Sequence, residues 1–202
     1  MFNEAKKYLG ADRKLKQSLM DMYNLRCYPY VADNRKYRIK MGDQWCAMFT
    51  SVMAQSVGLK ADQFPYEVSV YYQVQWAKKH NKYHNDISKV KPNDLIIYDW
   101  YGNGTLDHVG IVGRVADGKI YVIEGNIKDT VGYRTVSVDS KSVVGFISIR
   151  FNTPSITTAD DKQRIADLAY RTVRGDYGNG EQRKVNLGVD YDKVQKFINQ
   201  NY

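Results

Sequence analysis

Cysteine and histidine are scarce in this chain: two and three residues among 202. Two cysteines exclude a disulfide scaffold and a multi-cysteine zinc module. Three histidines argue against a histidine-rich metal site. Long apolar runs are missing as well. No stretch approaches the roughly 18 apolar residues a membrane-spanning helix needs. Residues 1–16 lack the apolar segment of a secretory signal. The expectation is synthesis in the cytoplasm without a leader, with action outside the membrane only after release. No dense Lys/Arg run of the kind used by nucleic-acid-binding arms is present. A hydrophobic fraction of 43% excludes wholesale disorder.

What is present is basic and rich in tyrosine. The formal net charge is +8, and 17 residues are tyrosine. Residues 1–152 hold 22 basic and 15 acidic side chains; residues 153–202 hold 8 and 7. A basic surface suits a polyanionic partner: nucleic acid, an acidic membrane, or a bacterial wall with anionic polymers. Charge alone does not choose among them.

Leu15, Leu19, Met22 and Tyr23 recur at helical spacing, which predicts a helix over about 12–25. A second helix is expected over 45–57, with Phe49, Val52, Met53 and Val57 on its apolar stripe and Gly58 just past its end. A third is expected over 69–80. From Asp94 the period changes to that of strands. Segments 95–100, 108–115, 119–124, 131–138 and 143–151 are short, rich in Val, Ile and Tyr, and separated by Gly, Asn and Asp. Short links between consecutive strands mean an antiparallel sheet. Helices first and a sheet after is an α+β order. Residues 153–160 read as a linker. Residues 161–202 read as three short helices. The first carries Ile165, Leu168, Ala169 and Val173 on one face, and Asp190 or Asp192 can cap the last.

Three positions carry chemistry. Cys46 stands at the first turn of the second helix, where the dipole and unpaired N–H groups favour a thiolate. His108 opens an apolar strand, next to a glycine, and supplies a base that titrates near neutral pH. His80 and His84 sit among Lys, Asn and Asp and read as solvated loop residues. Glu124 and Asn126 end the next strand, and either can orient the imidazole. Each feature alone has an ordinary structural reading: a buried cysteine, a core histidine, a polar strand end. Their order along the chain is more specific than any one of them.

These residues resemble a known family. The stretches Trp45-Cys46-Ala47-Met48-Phe49, Lys91-Pro92-Asn93-Asp94-Leu95-Ile96-Ile97-Tyr98, Asp107-His108-Val109-Gly110-Ile111-Val112 and Ile123-Glu124-Gly125-Asn126 look like successive motifs of the CHAP domain. That family is a cysteine- and histidine-dependent amidohydrolase/peptidase group with a papain-like fold. The resemblance implies an N-terminal catalytic domain over 1–152 that hydrolyses amide bonds of bacterial peptidoglycan. It makes Cys46 the nucleophile, His108 the base, Glu124 the partner of the histidine and Asn126 a supporting polar group. Gln44, Trp45, Trp100 and Tyr177 are the expected substrate contacts. Residues 161–202, through Gly175-Asp176-Tyr177-Gly178-Asn179-Gly180-Glu181-Gln182-Arg183-Lys184 and Tyr191-Asp192-Lys193-Val194-Gln195, resemble the small helical wall-binding repeats of some phage lysozymes and amidases. The combined architecture is similar to that of a phage endolysin.

The chain also departs from the family. Some CHAP domains carry a calcium loop of aspartates before the cysteine, whereas residues 24–40 hold Asp33 alone, so no calcium and no other cofactor is expected. No glutamine stands several residues ahead of the cysteine, which leaves the oxyanion donor between the Cys46 backbone N–H and Gln44. A Cys27–Cys46 disulfide would destroy the nucleophile and is not expected. The competing readings are a wall-binding or structural protein with an inactive papain-like domain, and a nucleic-acid-binding protein. The intact Cys46, His108 and Glu124 set argues against the first; the second rests on charge and lacks a stacking or groove-reading motif.

Strand parity sharpens the reading. His108 and Glu124 cooperate only if they share a face of their hairpin. A two-residue Asp117–Gly118 turn with an unbroken ladder would put Glu124 on the wrong face. The expectation is therefore a three-residue loop, Ala116-Asp117-Gly118, with Gly118 at positive φ and His108 opposite Asn126.

Overall fold

The computed structural model describes residues 1–151 and 159–201, and the chain divides into two compact units at Arg150/Phe151. The linker expected over 153–160 lies outside the described residues except for its last two, which are helical.

In the first unit, α1 (Phe2–Ala5) precedes α2 (Arg13–Met22). The Asp12 side chain accepts the Leu15 N–H at 2.8 Å and so caps α2. The helix ends sooner than its periodicity suggests, because a π-type turn over Tyr23–Cys27 takes over. Next come α3 (Cys46–Ser56) and α4 (Val70–Lys79), both close to their expected spans. The apolar stripe expected on α3 is too narrow a description. Every residue from Cys46 to Ala54 is buried, because this helix is wrapped on all sides. Phe49 is fully buried, and such burial contributes about 1.5–3 kcal/mol per apolar side chain.

The sheet is antiparallel, in the order β1-β6-β2-β3-β4-β5. Its strands are β1 (Tyr83–His84), β2 (Leu95–Tyr98), β3 (His108–Ala116), β4 (Lys119–Ile127), β5 (Thr130–Ser137) and β6 (Val143–Ile147). The unit is thus the α+β arrangement expected, with helices laid on an antiparallel sheet. β1 has no strand signal of its own; its two residues pair with Phe146 and Ile147 of β6. Leu95, Ile97, Val109, Ile111 and Ile123 join the helices in the main core. Ile96, Tyr98, Val112, Ile120 and Val122 form a smaller cluster on the other face. By alternation, His108 and Glu124 belong to that second face.

The β3–β4 hairpin corrects one expectation and keeps its consequence. Ala116 pairs with Lys119, so the turn is the two-residue Asp117–Gly118. Both residues have positive φ, 52° and 68°, the geometry of a type I′ turn. The ladder is not unbroken, however. A bulge at Gly113 inserts one residue, and beyond it Val112 pairs with Val122 and Ile111 with Ile123. The shift returns Glu124 to the face of His108. The extra residue was needed, and it sits in the strand instead of the turn.

In the second unit, α5 (Ala159–Val173), α6 (Gly180–Leu187) and α7 (Tyr191–Asn201) pack around Ile165, Ala169, Leu187 and Val194. Val173 was expected on the inner face but is 53% exposed. Asp190 is engaged by Arg164 through two hydrogen bonds, at 2.5 and 3.0 Å. Among the described residues, no helix is long and apolar enough to cross a membrane.

Candidate active site

Cys46 is the first residue of α3, and no side chain caps that end. Its thiol therefore lies where unpaired backbone N–H groups converge. The helix can lie close to the sheet because of Gly125: a Cβ there would come within 2.5 Å of the Phe49 Cβ. Both cysteines are unpaired and buried. Burial pushes the Cys27 thiol up to about 12, which leaves it inert.

His108 opens β3, opposite Tyr98 of β2. Its Nε2 lies 3.0 Å from Glu124 Oε2. The thiol of Cys46 is within hydrogen-bonding reach of the same ring, and with Nε2 turned to Glu124 the nitrogen left for it is Nδ1. Burial works against the imidazolium, yet the hydrogen bonds and charges of Cys46 and Glu124 outweigh it and raise the pKa to about 9. At neutral pH the ring therefore carries its proton.

Glu124 sits in a slot made by missing side chains. Gly110 lies against it on one side, and Gly132 pairs with it on the other. A Cβ on Gly110 would stand 2.7 Å from the Glu124 Cγ. Burial raises the pKa of this carboxyl, but the hydrogen bonds and charges of His108 and Arg134 win and hold it below the usual range. Arg134 Nε donates to Oε2 at 2.8 Å. The Tyr98 hydroxyl is buried beside the same carboxylate. Its pKa is driven far up, by burial first and then by the charge and hydrogen bonding of Glu124. Neither the phenol oxygen nor Glu124 Oε1 has another partner, so the phenol proton is available to Oε1.

A cleft of about 440 Å³ opens on the imidazole, lined among others by Gln44, Trp100, Asp107, Asn126, Lys128 and Arg134. Asn126, at φ 64°, donates from Nδ2 to Gln44 Oε1. Its side-chain partner is thus Gln44; the paired residues of β3 and β4 end at Ile111 and Ile123, short of the expected His108–Asn126 pairing, and β4 bulges against β5 between Glu124 and Ile127. Trp100 stacks on Tyr98, with ring centres 4.3 Å apart, and its backbone N–H donates to the Asp107 carboxylate at 2.7 Å. The Asp99 carboxylate accepts N–H groups of Tyr101, Asn103 and Gly104, which fixes the loop. Tyr101, 81% exposed, projects at the rim.

Of the four expected substrate contacts, Gln44 and Trp100 line the cleft. Trp45 does not. It is fully buried, packs edge-on against Phe49 and donates its Nε1–H to Asp129 at 3.1 Å. It is a core residue that ties α3 to the turn at 128–129. Tyr177 lies in the second unit, packed on its small core with Arg171 over its ring. Sequence reasoning missed Tyr98, Asp99, Asp107 and Arg134. Asp99 had a readable signal in the turn-rich run from Trp100 to Gly104. Arg134 had none, because its role depends on register. Among the described residues no cluster of His, Cys, Asp and Glu is fit to hold a metal, and Asp33 is paired with Lys36 at 2.7 Å.

The CHAP domain family model matches residues 20–126, more than half of the chain. This protein belongs to the CHAP-domain family. The match takes in Cys46, His108, Glu124 and Asn126 and stops short of Arg134. A CW_7 repeat, a cell-wall repeat, matches residues 166–201. No curated protein matches the chain. CHAP domains are typically hydrolases of peptidoglycan, and the two matches together imply peptidoglycan as substrate.

Proposed function

We propose that the protein is a cysteine-dependent peptidoglycan hydrolase of the endolysin kind, cutting an amide bond as an N-acetylmuramoyl-L-alanine amidase or a stem-peptide endopeptidase. The continuous contact from Cys46 through His108 to the buried Glu124 carries this reading. The Cys46 thiolate attacks the amide carbonyl carbon, forming a carbon–sulfur bond and a tetrahedral oxyanion. The backbone N–H of Cys46 and the Gln44 side chain are the oxyanion donors. Asn126 occupies Gln44 Oε1, which leaves the Gln44 amide hydrogens for the cleft. His108 gives its Nδ1 proton to the leaving amine as the carbon–nitrogen bond breaks. It then takes a proton from water, which adds to the thioester and releases the carboxylate and the thiolate. Glu124 keeps the proton on Nε2 throughout, so Nδ1 is the nitrogen that exchanges.

The wall is the proposed place of action, reached after release from the cytoplasm, and the cell-wall repeat supports it. Mass spectrometry of purified walls after digestion tests the proposal. New free amino and carboxyl ends in the stem peptide, or a free lactyl carboxyl with a free alanine amine, are expected. Cleavage of glycan linkages only, or no cleavage, would contradict it.

A further inference from the structure

The proposed mechanism leaves one close charge without a role. Arg134 lies beyond Asn126, the last residue of the CHAP match. On β5 it stands opposite Val122, while Gly132 stands opposite Glu124. Gly132 has no side chain to cover the carboxylate. The guanidinium two residues along the same face reaches it, as diagonal neighbours in a sheet can. Its Nε and the His108 Nε2 converge on one oxygen, Oε2, at 2.8 and 3.0 Å. The carboxylate side chain is wholly buried, whereas 31% of the arginine side chain stays exposed. The guanidinium is 4.8 Å from the centre of the Trp100 ring and lines the cleft. A buried carboxylate with one shared proton partner tends to take up the proton, and then ceases to orient an imidazolium.

We propose that Arg134 is a positioning residue that keeps Glu124 ionised and aimed at His108, and so sets the pH window of the reaction. This rests on the reading of Cys46, His108 and Glu124 as the catalytic set. The groups facing Glu124 are His108 from β3, Tyr98 from β2 and Arg134 from β5. The imidazole also faces Cys46 from α3 and the Trp100 ring. Asp107 and Lys128 are the remaining charged residues of the cleft lining.

The signs follow from electrostatics. The hydrogen bond and the charge of Arg134 both favour the ionised carboxylate. Without them the Glu124 carboxyl titrates at higher pH. Arg134 also competes with the imidazolium for Oε2. Without it the imidazolium is held more tightly, and His108 also titrates higher.

The test is NMR titration of carbon-13-labelled Glu124 and His108 in the full-length protein, with wall-fragment kinetics beside it. Glu124→Gln assigns the carboxyl signal. In Arg134→Gln both midpoints are expected to rise, the carboxyl by about one pH unit or more. The kcat is expected to fall about tenfold with KM little changed, as for loss of a charge-assisted hydrogen bond. Arg134→Lys keeps the charge without the directed Nε–H, and both its effects should be intermediate. Unmoved midpoints in the variants overturn the proposal, even where activity falls, since a merely structural role would leave them in place. If Arg134→Gln does not fold, the midpoints of Arg134→Lys decide by the same criterion. Failure of the catalytic reading looks different: Cys46→Ala would still digest walls, whatever the titrations show.

Discussion

Residues 1–150 bury a core that runs from α3 into the sheet, whereas residues 159–201 rest, among the described residues, on four buried apolar side chains, Ile165, Ala169, Leu187 and Val194. The first unit hides its chemistry as well as its core. Glu124 is fully buried, and its bonds to His108 and Arg134 are made out of water. The second unit keeps its ion pairs, such as Arg171–Asp176, on the surface, where each contributes little. A large core tolerates a cavity but not a misplaced polar atom at the site. A unit of about 40 residues has no such reserve. The two should therefore fail in different ways.

The largest effect belongs to the proposed nucleophile. Cys46→Ala should drop lysis of purified walls below about 1% of wild type while wall pelleting and thermal unfolding stay unchanged. Substantial residual lysis would place the nucleophile elsewhere. Next is Glu124→Gln. A glutamine amide would donate toward Nε2 and move the imidazole proton to the wrong nitrogen, so kcat should fall about 10²–10⁴-fold. A loss under threefold would remove Glu124 from the set.

The sharpest contrast is a pair of core truncations. Ile165→Ala and Ile111→Ala each remove a fully buried isoleucine, at a cost of about 2–5 kcal/mol. The first should unfold residues 159–201 and sharply weaken pelleting with walls, yet spare turnover of soluble muropeptides. The second should lower the unfolding temperature of residues 1–150 and leave them folded at 25 °C. Equal tolerance in both units, seen by hydrogen exchange, would refute the contrast.

A smaller effect is set by pH. The folded His108 holds its proton up to about 9, above the ordinary 6.5. Its contribution to stability is complete below 6.5 and is lost as pH rises through 9. Turnover should fall over the same range, as the general acid is lost. A rate still climbing at pH 10 would contradict the assignment. The smallest effect concerns charge: residual wall binding by residues 1–150 alone should weaken as salt rises.

Much of this was legible in the sequence, for physical reasons. The Val- and Ile-rich segments after Asp94 showed strands by their alternation, and Cys46, His108 and Glu124 stood at element ends where polar groups in apolar runs need a reason. Features that depend on tertiary register were not legible. Gly113 reads as one more strand residue, and its bulge appears only when β3 meets β4. Trp45 next to Cys46 resembles a substrate platform; the fold buries it under α3 instead. Arg134 is ten residues from Glu124 in sequence and reaches it only across the β4–β5 pairing.

The most direct test of the mechanism is a rapid-quench intact-mass measurement during turnover of soluble wall fragments. The expected result is a transient adduct with the mass of the acyl fragment, mapped by peptide analysis to Cys46 and absent from Cys46→Ala. Full turnover with no adduct on Cys46, or an adduct on another residue, would contradict catalysis through the Cys46–His108–Glu124 chain.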